Sequence, residues 1–259
     1  MTQEIPEHPS PLPSIARLTV SDLGAALSAG LRDFLRAPAF GLLFSAFYVA
    51  GGIVLYLVAA STGQEWWLIP FVVGFPLLAP FAAVGLYEVS RRIEVGDSLI
   101  WRQVLGVVFA QKDRQIPSMA MVILLIFMFW VFVAHTIFAL FMGLSAMTNI
   151  TSSPAVLLQG NGPLMLLIGS AIGGAFALAV FSFTLCGLPL LLEREIDFIT
   201  AIVFSVQSVL ANKAVLALWA ICIAALLALG MAPLFLGLFV VLPVLGHASW
   251  HLYRRITAE

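Results

Sequence analysis

Apolar residues in this chain gather into long uncharged runs, separated by short stretches that hold nearly all of its charge. A run of about 18 or more such residues is long enough to cross a hydrocarbon core. On that measure the pattern predicts spanning helices over residues 39–60, 66–87, 119–146 and 163–192. Residues 214–246 carry no charge but, at about 1.5 Å per residue, are too long for one span. Gly230-Met231-Ala232-Pro233 supplies a break, giving a fifth helix over 214–229 and a sixth over 233–253.

A different pattern precedes each odd-numbered span. Each segment opens on helix-capping residues, Ser21-Asp22, Asp97-Ser98 or Asp197, and ends about four turns later on Arg36, Lys112 or Lys213. Acid at the start and base at the end both complement the helix dipole. Between them run helical apolar stripes, Leu23, Leu27, Leu31 and Phe34 in the first and Ile199, Ile202, Val206 and Val209 in the last. The reading is all-α: a polytopic membrane protein of six transmembrane helices arranged as three hairpins. Each hairpin is introduced by a short amphipathic helix on the cytoplasmic face.

The chain also repeats itself. Sliding its end onto the second helix superposes Pro70 on Pro233, Gly74 on Gly237 and Pro80 on Pro243. Tyr87 then meets Trp250, and Arg91-Arg92-Ile93 meets Arg254-Arg255-Ile256. The units expected are 19–94, 97–195 and 197–256, within a single domain over 19–259. Residues 1–18, acidic and proline-rich at the start, read as a disordered cytoplasmic leader without the basic and apolar pattern of a cleavable signal.

Composition agrees: 62% of residues are hydrophobic and 10% charged, too little charge to solvate a soluble domain of this size. The net charge of −1 offers no bulk attraction to nucleic acid. Sidedness comes from where the cations fall. With six spans, all 12 lysines and arginines share one side with both termini, and residues 61–65, 147–162 and the turn near Met231 have none. The positive-inside rule makes that side cytoplasmic.

Ionisable groups inside a bilayer are costly and are functional suspects. The spans hold His135 on the third helix and His247 with His251 on the sixth. The last two, four residues apart on one face, could ligate a metal or haem. His135 lies about 24 Å along its helix from the cytoplasmic start and His247 about 9 Å, so they do not share a ligand. With no carboxylate or thiol beside them, the pair reads as an interfacial polar cluster. Glu88 sits where Arg91 and Arg92 can pair with it. Tyr87, Glu88, Arg91, Arg92, His247, His251, Arg254 and Arg255 together form the candidate polar cluster at the cytoplasmic face. No catalytic residue, metal site or cofactor is assigned. Cys186 and Cys222 read as small buried hydrophobes, and Pro70, Pro76 and Pro80 predict a kinked second helix.

The first unit carries Leu18-Thr19-Val20-Ser21-Asp22, Gly30-Leu31-Arg32-Asp33-Phe34 and Arg36-Ala37-Pro38, then Gly51-Gly52 and Pro80-Phe81. It closes on Gly85-Leu86-Tyr87-Glu88-Val89-Ser90-Arg91-Arg92. This resembles a bacterial family of integral membrane proteins catalogued as domain of unknown function 2189, over nearly the whole chain after the leader. The resemblance implies the bacterial cytoplasmic (inner) membrane and no established activity. Some members carry a cytochrome c oxidase subunit label, which would imply an accessory, cofactor-free role here. The expected function is a non-catalytic packing, assembly or accessory component. Its partners are the lipid bilayer and other membrane proteins or further copies of itself. The alternatives are a small-solute transporter or channel, and a haem- or copper-binding redox subunit.

Overall fold

The computed structural model describes residues 11–62, 80–143 and 157–257. Every regular element among them is helical: α1 (Val20–Arg36), α2 (Pro38–Thr62), α3 (Pro80–Val95), α4 (Trp101–Ala110), α5 (Ile116–Met142), α6 (Gly162–Thr184), α7 (Gly187–Glu193), α8 (Phe198–Ala211), α9 (Lys213–Met231) and α10 (Leu238–Ile256). Among the described residues four helices are long and apolar enough to cross a membrane: Pro38–Val58, Ile116–Met142, Gly162–Glu193 and Lys213–Met231. They coincide with the first, third, fourth and fifth expected spans. Most of the second expected span, with Pro70 and Pro76, lies outside the described residues; its end is α3. The sixth is α10, which misses that measure because two histidines and two arginines occupy its last three turns.

α10 is the helix around which the others gather. Its Leu245, Gly246, His247, Ala248, Trp250, Leu252, Tyr253 and Ile256 are all buried. α1 runs antiparallel to it, with Asp22 opposite Arg255 and Gly30 against Ala248. The backbones touch there: a Cβ on Gly30 would lie 2.5 Å from the Ala248 nitrogen and 2.7 Å from the Val244 oxygen. α2 continues along the same helix, with Gly41 on Pro243, and then meets the turn before it, with Gly52 on Phe235. α3 lies beside α10 in parallel, pairing Leu86 with Gly246 and Glu94 with Trp250.

The expected caps are partly corrected. Asp197 caps α8, accepting the Thr200 N–H at 2.9 Å. α1 starts earlier than Ser21: Thr19 is its N-cap, and Asp22 reaches back to the Thr19 N–H at 2.8 Å. Asp97-Ser98 caps nothing, since α4 begins at Trp101 after Ile100. Asp97 instead helps to end α3, through a Schellman closure in which Gly96 (φ 76°) and Asp97 donate to the Ile93 and Arg92 carbonyls. Lys213 does not end α8 but begins α9.

The amphipathic helices pack on the bundle. α1 buries Leu23, Ala26, Gly30 and Phe34 while Leu31, expected on the same stripe, is exposed. α8 turns its expected stripe outward at Ile199 and buries Ala201, Phe204, Ser205 and Ser208. The small polar side faces protein because it has work there: Ser205 Oγ accepts the Cys186 N–H at 3.0 Å, where the backbone turns between α6 and α7. Cys186 is buried and Cys222 half-buried, both free thiols. Before α1, the last part of the expected leader is tied down. Ala16 N–H donates to the Ile256 carbonyl at 2.8 Å, and Leu18 N–H to Asn212 Oδ1 at 2.7 Å. Residues 1–10 of that leader lie outside the described residues.

Candidate functional site

α3, α7 and α10 end close together, and their last turns bring the expected cluster residues into two adjoining layers. The outer layer is a network of ion pairs. Glu88 is fully buried and accepts both forks of Arg91 (2.8 and 2.9 Å) and Nε of Arg92 (2.6 Å). The Glu88 contact holds the Arg91 guanidinium above its ordinary pKa. Arg254 reaches Glu94 at 3.1 Å and Glu193 at 3.0 Å, so one guanidinium joins the ends of all three helices. Tyr253 donates to the other Glu193 oxygen at 2.5 Å, and Trp250 Nε1 to the other Glu94 oxygen at 3.1 Å. Tyr87 stacks obliquely on Trp250, ring centroids 6.4 Å apart. Glu88, Arg91, Glu94, Glu193, Trp250 and Arg254 border an open cavity of about 410 Å³, which Gln111 and Arg114 also line. Arg255 lies apart from it, paired with Asp22 of α1 at 2.6 Å.

The inner layer contains two residues that the sequence pattern did not single out, Asp33 and Ser90. Ser90 Oγ donates to Asp33 Oδ2 at 2.8 Å, and His251 Nε2 meets the same oxygen at 2.7 Å. His247 Nδ1 lies 2.8 Å from Ser90 Oγ. An ionised Asp33 has no proton to give, so the hydrogens order themselves. His251 and Ser90 both donate to Asp33, and His247 donates from Nδ1 to Ser90. His247 is then the neutral tautomer with its lone pair on Nε2, a buried atom with no hydrogen-bond partner. Burial pushes the Asp33 carboxyl up, but the hydrogen bonds from His251 and Ser90 outweigh it and hold the group below its ordinary value of 3.8.

Serine, histidine and aspartate in contact invite comparison with a hydrolase triad, and the connectivity differs. In a triad the serine donates to the histidine and the aspartate orients that histidine. Here Ser90 donates to the aspartate, receives from His247, and is fully buried. The network instead ties three helices together: α1 through Asp33, α3 through Ser90 and α10 through both histidines. A buried hydroxyl or carboxylate left without such partners costs about 1–3 kcal/mol.

His247 and His251, the weak candidates for ligating a cofactor, thus have Nδ1 and Nε2 respectively engaged by Ser90 and Asp33. Among the described residues no group of three or more histidine, cysteine, aspartate or glutamate side chains could hold a metal ion. His135 is elsewhere, on α5, with Nδ1 against the Val131 carbonyl at 2.8 Å. A signal for Asp33 was present in the chain: with Leu23, Ala26 and Gly30 it continues one helical stripe, a charged residue on a face meant to be buried. Ser90 gave none beyond its place in the Gly85–Arg92 exit.

No curated protein and no solved structure matches the chain. Residues 68–193, which run from the second expected span through α7, match the model of the family described as predicted integral membrane protein (DUF2189).

Proposed function

We propose that the protein is a non-catalytic component of the bacterial cytoplasmic membrane that packs against other membrane proteins. In this reading six helices form three repeated hairpins, with both termini cytoplasmic, and α10 is the sixth span. The observation that carries the assembly role is the outward surface of α5 and α6. Their apolar windows are only 22% and 11% buried, and between its exposed Leu167 and Leu178 the middle of α6 turns the small Ser170, Ala171, Gly174 and Ala175 outward. Small residues gain little from lipid, but they let a second helix approach closely. The side-by-side packing of α3 and α10, with Tyr87 on Trp250, supports the repeat, since the sequence register pairs those same residues. Co-purification from native membranes in mild detergent, with mass spectrometry, tests the proposal. One or more membrane proteins should be retained by the wild-type chain and lost on Ala171→Leu or Ala175→Leu. A solitary monomer from native membranes would overturn it.

A further inference from the structure

A second cavity, about 520 Å³, opens among α2, α3, α6, α9 and α10, and it differs from the charged one in every respect. All of its lining residues are uncharged. Aromatic rings from Phe44, Tyr87 and Phe181 form part of the wall, and Gly174 and Ala224 leave room beside them. At its rim Leu178 and Ile221, on two of the candidate spanning helices, are 50% and 66% exposed. The mouth between α6 and α9 therefore faces the hydrocarbon. One wall residue is polar and unmatched: Ser45 is 1% exposed, and its hydroxyl has no hydrogen-bond partner.

The geometry points to a binding site for a neutral lipophile drawn from the bilayer, its hydrogen-bonding oxygen meeting Ser45 and its apolar body filling the space between α6 and α9. The volume lies within the range of small-molecule sites, which combine apolar walls with few polar groups. The absence of charged wall residues selects against an ionised head, which would stay unpaired in an apolar surround. The hydroxyl selects against a plain hydrocarbon, which would leave it unsatisfied. This site goes beyond the assembly role and does not depend on it.

The test uses the full chain in phosphatidylcholine nanodiscs with three radiolabelled probes: oleyl alcohol, oleate and octadecene. Oleyl alcohol should bind saturably, and better than either of the others. Ser45→Ala should weaken it roughly fivefold, the worth of one ordinary hydrogen bond, and leave octadecene unchanged. A Cβ on Gly174 would meet nothing within 4 Å, so Gly174→Leu can fill the space without straining the backbone. It should abolish saturable binding at an unchanged unfolding temperature, and Ala224→Leu provides a second obstruction should the first variant fold poorly. Unsaturable uptake of the alcohol, oleate binding as tight as the alcohol's, or saturable binding that survives both obstructions would overturn the proposal.

Discussion

Asp33 lies below its ordinary pKa because two donors converge on one of its oxygens, and that fixes how acid acts on the molecule. A carboxyl whose pKa falls on folding contributes stability that is fully present above its unfolded value and is lost as pH drops through the folded one. Acidification from pH 7 to pH 4 should therefore leave the Asp33 contribution intact, with α1 loosening below the ordinary value of 3.8. Amide hydrogen exchange across α1 as a function of pH checks this, and early loss above pH 5 would contradict it. Removing one donor has the same target. His251→Ala should cost about 2 kcal/mol, the worth of a hydrogen bond to a charged group, and should raise exchange in α1 before that in α5.

At the scale of the helix, the contrast between Gly24 and Gly30 isolates what α1 does. A Cβ on Gly24 meets nothing within 4 Å, whereas one on Gly30 meets the backbone of α10. Gly24→Ala should stabilise by about 0.5–1 kcal/mol through helix propensity. Gly30→Ala, six residues on and about 120° round the helix, should destabilise by about 1–3 kcal/mol, because a backbone cannot rotate aside as a side chain can. Thermal unfolding of both variants in detergent decides the sign. The helices themselves were legible in the sequence because long uncharged runs admit few other structures, and the starts of α2, α5, α6 and α9 fell within a few residues of expectation. What was not legible was the side each amphipathic helix buries. The stripe through Ile199 was expected on the cytoplasmic face of the membrane; Ile199 is exposed, while Ile202 and Val209 of the same stripe pack partly against the core. Ser205 and Ser208 take the innermost face, where Ser205 accepts the Cys186 N–H.

For the molecule as a whole, the polar cluster was half visible beforehand. Glu88 with its arginines, and Arg254, stood out as charges at the ends of apolar runs. Ser90 did not, and Asp33 did so only as a charge on the buried stripe of α1, because what recruits them is the packing of α1 and α3 on α10, a relation between distant segments. The six-span arrangement has its own check at this scale. A reporter active only outside the cytoplasm should be silent when fused after Glu259 and active when inserted between residues 61 and 65. The opposite pattern would invert the orientation.

The pairing of α1 with α10 also carries a consequence for biosynthesis. Asp33 and His251 are 218 positions apart, and Asp22 and Arg255 are 233. A ribosome adding about 5–20 residues per second therefore leaves α1 without its partner for roughly ten seconds or more after its own synthesis. During that interval Asp33 lacks His251, and the face of α1 that later meets α10 is without that partner. α1 is thus made long before the helix it packs on, and its buried face lacks that partner until α10 has been synthesised.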